Sequence, residues 1–328
     1  MLFQYSFARK SCVVLKVVVL QAVDARLFAD YEKTIGMMTS SHKQTVKGLR
    51  FQSLEAFLAS KGPQKQYFRI DPARENLITG NRGTRLHIPP YALVSTTAEY
   101  AKGPVDIELV ELFQPSEMIL ANRPSTSEDR LLEMGGQLAV FAHQKGRPLT
   151  LDQPLGVELP AWGRLHNPLA MRLFEHSSPT MHAFSTQTNF DWRPVKGAKV
   201  SLQRHSGVKY HVFSVNAFNW YHCSHFLMSK KRKVMVSVYP VGVRSLDEQL
   251  AFMAFRNMNT VARMYWGGSH FSAFNIPAHS SAEVIVMGLK QGQLFLGRNR
   301  FRKAKQKTLN VHLRHCSQMD IIDALQDL

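Results

Sequence analysis

Four histidines fall close together in the chain, at His205, His211, His222 and His225, with Cys223 between the last two. A His-x-x-His pair holds zinc when a third ligand lies beside it, because imidazole and thiolate are donors this ion prefers. The chain has no His-Glu-x-x-His signature and no closely paired cysteines. The spacing therefore favours histidines that fill the polar edge of a sheet, and no metal site is expected.

The densest charge lies near the end of the chain. Arg298, Arg300, Arg302, Lys303, Lys305 and Lys307 follow one another around Phe301 with no acid between them. Alternate residues of a strand share a face, so the three arginines would form a stripe with a spacing of about 7 Å. Such a stripe could take the phosphates of a polyanion, with an affinity that falls as salt rises. The competing reading is a solvated face, since the sequence carries none of the nucleic-acid motifs. A shorter basic run spans Lys230 to Lys233. Asp106 and Glu108 alternate with Val105, Ile107 and Leu109. They read as the solvent side of an amphipathic strand and not as an acid–base pair. There is no P-loop, dinucleotide glycine fingerprint, nucleophile elbow or kinase signature. No catalytic residue and no cofactor is expected.

The elements that must position these groups are mainly β. Short apolar runs between residues 67 and 160 are punctuated by glycine and proline, the pattern of a small β-sandwich. Before it, Phe51, Leu54, Phe57 and Leu58 recur at helical spacing until Gly62 and Pro63 stop the helix. Gly103–Pro104 and Lys145–Gly146 mark turns. Residues 161–228 are aromatic-rich and hold Trp162, Trp192 and Trp220. They read as a β linker segment. Residues 229–328 read as a C-terminal sandwich-like domain, with strands at Glu283–Gly288 and Gln293–Leu296 and a final helix from the spacing of Met319, Ile322 and Leu325. The stretch 245–258 fits a helix or a loop followed by a strand. The expected architecture is thus two or more β-sandwich domains with a short N-terminal helix at 51–66, preceded by a signal-like or linker segment at 1–50.

The core of the first sandwich, Gly83, Thr84, Leu86, Ile88 and Pro89, resembles the ZU-five-type domain shared by ankyrins and netrin receptors. It is similar above all to the version carried by envelope proteins of the Bacteroidetes. The resemblance implies a binding or scaffolding module. In the bacterial proteins a tyrosine-led strand is followed by an aromatic turn with Trp and Cys, a placement that Trp220 and Cys223 fit. Tyr221, His222, Ser224 and His225 stand where more Asn and Asp would be expected. In some ZU-five-bearing signalling proteins a His-Phe-Ser tripeptide is a site of self-cleavage, and His270, Phe271 and Ser272 spell it here. It lies far from the ZU-five-like segment, and the sequence favours an ordinary strand or turn at that point.

Composition agrees with a folded β protein of 328 residues, 45% hydrophobic and 20% charged. Its net charge of +17 favours acidic partners. Of the three cysteines, at most one bridge can form, with Cys223 and Cys316 as the pair to expect. Arg9 and Lys10 precede an apolar run like that of a signal peptide, with Ala22, Ala25 and Ala29 as cleavage points. No segment reaches the roughly 20 apolar residues needed to span a bilayer. The function expected is a non-enzymatic binding or structural protein that contacts another protein at the cell envelope. The alternatives are a basic protein that binds nucleic acid or another polyanion, in the cytoplasm, and a self-cleaving or hydrolytic protein. The sequence does not specify an oligomeric state.

Overall fold

Alternation of apolar and polar residues produces strands throughout the chain, and the computed structural model is mainly β. It describes residues 50–163, 165–176, 191–227, 231–304 and 307–328, with Lys307 as backbone alone. The signal-like run, the linker and Cys12 lie outside those residues. The described elements belong to one compact unit from Leu49 to Leu328.

The first half pairs two sheets. One runs β1 (Gln66–Ile70), β5 (Val105–Leu112), β7 (Arg130–Gln144), β15 (Asn219–Phe226), β11 (Arg172–His176) and β12 (Trp192–Pro194), with β6 (Thr126–Ser127) and β8 (Arg147–Pro148) on β7. The other runs β13 (Ser201–His205), β14 (Val208–Val215), β10 (Leu155–Pro160), β3 (Arg85–Ile88) and β2 (Asn76–Thr79). A small pair, β4 (Leu93–Val94) with β9 (Thr150–Leu151), closes one side. Val105, Ile107 and Leu109 meet Leu86, Ile88, Val157 and Leu159 in the core between the sheets. The turn that carries the ZU-five resemblance is held by a carboxylate. Glu111 accepts from the backbone N–H of Arg82 and Thr84, each at 3.0 Å. A Cβ at Gly80 would sit 2.5 Å from Glu111 Oε2, so this turn needs glycine.

Three expectations change here. Residues 161–228 are no linker: β11 to β15 complete both sheets, and β15 lies between β7 and β11. Their Leu173, Phe213, Val215, Tyr221 and Cys223 share one core with residues before Pro160. Trp220 and Cys223 sit within strand β15 and not in a turn. Asp106 is partly exposed, but Glu108 is buried and is paired with Lys65 at 2.9 Å, so the second face of β5 is only partly solvated.

The second half is a single eight-stranded sheet. Its order is β22 (Lys307–His312), β16 (Lys233–Val241), β19 (Phe271–Pro277), β18 (Thr260–Trp266), β17 (Glu248–Phe255), β20 (Ala282–Lys290), β21 (Gln293–Phe301) and β23 (Arg314–His315). The ambiguous stretch 245–258 resolves as strand β17. β22 runs parallel to β16 while the other neighbours are antiparallel. The sheet curls until β21 approaches β22, where Asn299 Nδ2 donates to the Asn310 carbonyl at 3.1 Å. A Cβ at Gly297 would lie 2.6 Å from Val311 Cγ1, and glycine permits that closure. The result is a nearly closed sandwich or barrel, filled by Val236, Val238, Met253, Phe271, Val284 and Leu309 among others.

Three short helices cover the outside of this barrel: α1 (Leu54–Lys61), α2 (Pro115–Leu120) and α3 (Gln318–Gln326). Ser53 caps α1 by accepting from the Ala56 N–H at 2.9 Å. Pro63 disfavours helical backbone at Gly62 and ends it. Leu54, Phe57 and Leu58 of α1, Met118 and Ile119 of α2, and Ile321 and Leu325 of α3 pack on Phe252, Ile285 and Met287. Each fully buried side chain of that size is worth roughly 1.5–3 kcal/mol. Met134 of β7 joins the same cluster, which ties the two halves together. Among the described residues no helix is long and apolar enough to cross a membrane.

Candidate functional site

The four clustered histidines do not converge. His205 lies beside Glu158, with Nδ1 3.2 Å from Oε2. Arg85 and His87 reach the same carboxylate at 3.0 and 3.1 Å. His211 is fully buried against Gly135, and burial pulls its pKa down to about 4. His222 packs against Trp192 at 4.9 Å, and burial pulls it down to about 3. A bulge in β15 after Cys223 then turns His225 toward β7. Among the described residues no three His, Cys, Asp or Glu side chains are grouped to hold a metal. Cys223 and Cys316 are free thiols, contrary to the expected bridge. The fold sends Cys223 into the sandwich core and Cys316 under the helices, too far apart in the packing to meet. Burial raises both, Cys316 to about 12.

His270, Phe271 and Ser272 fall at the start of β19. His270 stacks on Tyr239 at 4.9 Å, and its Nδ1 lies 3.1 Å from Ser269 Oγ. Phe271 is buried in the barrel, and Ser272 pairs with Ser237 and Tyr265 within the sheet.

The cationic stretch is not a bare stripe. Arg298 and Arg300 share a face of β21, as alternation requires, but β20 places Glu283 beside both. Arg298 Nε donates to Glu283 Oε1 at 2.6 Å and Arg300 Nε to Oε2 at 2.8 Å. Arg298 also reaches Asp327, just past α3, at 3.3 Å. Burial works against its charge, and the Glu283 and Asp327 contacts outweigh that and raise its pKa. Arg302 leaves this face and points into a cleft. Lys303 is exposed. Lys305 and the Lys307 side chain lie outside the described residues.

That cleft, of about 980 Å³, lies where the sandwich meets the barrel. β7, β11 and β15 bring Arg130, Arg172, His225 and Phe226 to one side. The other side holds Lys231, Met258, Pro277, His279 and Arg302. No Asp or Glu lines it among the described residues. Arg130 lies 3.6 Å over the Phe226 ring, which fixes its direction. Its nearest carboxylate, the exposed Glu128, is 3.9 Å away.

Behind the wall sits Glu133, with a fully buried carboxylate. Oε2 accepts from His225 Nε2 at 2.8 Å and from the His166 N–H at 2.9 Å, and Oε1 lies 2.5 Å from His166 Nδ1. The other nitrogen of His225, Nδ1, faces the Phe226 carbonyl at 3.0 Å. Both ring nitrogens therefore meet acceptors, an arrangement that favours the protonated form of His225. The Glu133 hydrogen bond raises His225 despite burial. Burial opposes the charge on Glu133, but the hydrogen bonds from His225 and His166 win and hold its carboxyl below the usual range. Arg130, Arg172, His166 and Glu133 carried no signal in the sequence, because they come from separate segments with no shared motif. His225 was visible only as one histidine of a cluster.

No family model matches the chain, and no curated protein matches it. A solved structure, the Gamma-CGTASE from the alkalophilic Bacillus clarkii, aligns over 76% of this chain at 6% identity with a TM-score of 0.19. This chain spans 41% of that enzyme. A likeness at that level carries no argument about fold or activity.

Proposed function

We propose that the protein is a non-enzymatic binding protein and that the cleft between sandwich and barrel is where it meets an acidic ligand. The observation that carries this reading is the concentration of Arg130, Arg172 and Arg302 around a space that no carboxylate lines among the described residues. An attractive field of one sign in a concave site raises local ligand concentration and association rate. The neighbouring polar groups support binding over chemistry. Ser280 and Ser281 each donate to a carbonyl, at 2.7 and 3.0 Å. His225 is committed on both nitrogens, and a base needs a free lone pair. The ZU-five resemblance, with the module it implies, and a place at the cell envelope belong to the same proposal.

The test uses purified full-length protein. It should bind an acidic ligand saturably, leave chromogenic ester, phosphoester and glycoside substrates intact, and keep a constant intact mass. Turnover of any substrate, or a break at Phe271–Ser272 that Ser272→Ala abolishes, overturns the non-enzymatic reading. Fractionating native cells and sequencing the mature N-terminus tests the envelope location, which recovery in the cytosol refutes.

A further inference from the structure

We infer that the cleft is the binding site for a compact phosphorylated molecule, one that carries two or more phosphoryl groups on an apolar or ring-bearing body. This rests on the reading of the protein as a binding module and names the ligand class.

The charge pattern argues for phosphate. Arg172 and Arg302 are exposed and make no ion pair among the described residues. Arg130 has only the distant, exposed Glu128. Three guanidinium forks thus face one space with their donors largely unspent. Guanidinium matches the oxygens of a phosphoryl group two at a time, and is more weakly hydrated than ammonium, so it gives up water at lower cost. Like charges gathered without a carboxylate repel one another, and an anion between them reverses that term. Glu133 cannot serve as that anion, because its two oxygens are already taken by His166 and His225.

The shape argues for a small molecule. A space of about 980 Å³ falls at the upper end for sites that enclose a drug-sized ligand, roughly 300–1,000 Å³. Phe226 and Met258 add apolar wall beside the cations, suited to a ring or alkyl portion. An extended polyanion would instead track a long, open row of cations. The longest such row in the sequence is the β21 stripe, where Glu283 already occupies Arg298 and Arg300.

Isothermal titration calorimetry on the full chain tests this, with magnesium-free adenosine triphosphate as probe, inorganic pyrophosphate as competitor and adenosine as the body without charge. The triphosphate should bind saturably, pyrophosphate should displace it, and adenosine should give no heat. Arg172→Ala combined with Arg302→Ala should weaken the probe at least tenfold, with the ligand-free melting midpoint unchanged. Arg298→Gln with Arg300→Gln should change it less than twofold. The inference fails if a folded protein gives no saturable heat with the probe, or if the Arg172/Arg302 variant binds as the parent does. Binding of an acidic peptide but not the probe sinks the phosphate assignment and leaves the module reading intact. Release of inorganic phosphate from the bound probe does the reverse.

Discussion

The cleft and the β21 stripe each gather cations, and their electrostatic states are opposite. The stripe is dense in sequence, yet Glu283 from the adjacent strand and Asp327 past α3 satisfy Arg298 and Arg300. The cleft is sparse in sequence, yet Arg130 of β7, Arg172 of β11 and Arg302 just past β21 reach one space that no acid lines among the described residues. Coulomb energy depends on separation and on what lies between charges, not on chain distance. A run of arginines therefore reports local composition, while its net field is set by the strand that pairs beside it.

The largest effect should come from dividing the chain. Residues 67–160 expressed alone lose β11 to β15, about a quarter of the buried sandwich core and one wall of the cleft, and should show no cooperative thermal melt by circular dichroism. A sharp β-type melt from this fragment would mean that the cleft is an accessory of two independent domains.

Next is Glu133→Gln. It leaves the His225 imidazolium facing a neutral amide, and breaking a buried pair in this way costs about 3 kcal/mol, read by urea denaturation. The effect should depend on pH. Glu133 is held below its ordinary value of 4.5, so its share of stability is present above pH 4.5 and is lost as the pH falls through the lowered value. His225 is raised above 6.5, so its share is full below pH 6.5 and is lost as the pH rises through the raised value. The difference between parent and variant should peak between pH 4.5 and 6.5 and shrink toward pH 9. A flat difference would remove the ion pair from the cleft wall.

Glu283→Gln sharpens the comparison from the other side. It should cost about 2 kcal/mol, since the carboxylate is buried and serves two arginines. It should also free the stripe, so that the variant elutes from heparin at higher salt than the parent. Unchanged elution would mean that the pairing does not mask the stripe.

The smallest effect separates the arginines of one run. Arg302→Gln should weaken binding of adenosine triphosphate by more than Arg298→Gln with Arg300→Gln together, with each cleft cation worth about 1 kcal/mol. Equal losses would return the stripe to the role its sequence suggests.

Much of the fold was legible locally. Val105, Ile107 and Leu109 announced their inward face, Leu54, Phe57 and Leu58 announced α1, and the strands read at Glu283–Gly288 and Gln293–Leu296 fall within β20 and β21. Period and turn chemistry act over a few residues, so sequence alone determined that the protein is mainly β and that short helices lie near residues 54–61 and 318–326, while the helix at Pro115–Leu120 carried no such signal. Sequence could not determine that β15 inserts between β7 and β11, that residues 161–228 build both sheets, or that Cys223 and Cys316 stay apart. Those are outcomes of long-range pairing, decided by which apolar faces close on one another. The arrangement of cations belongs to the same class. Arg298 and Arg300 were the most conspicuous cations in the chain, and only the register of β20 against β21 shows them neutralised. Arg130 and Arg172 were unremarkable, and only the packing of sandwich on barrel brings them face to face with Arg302, because charge acts through space.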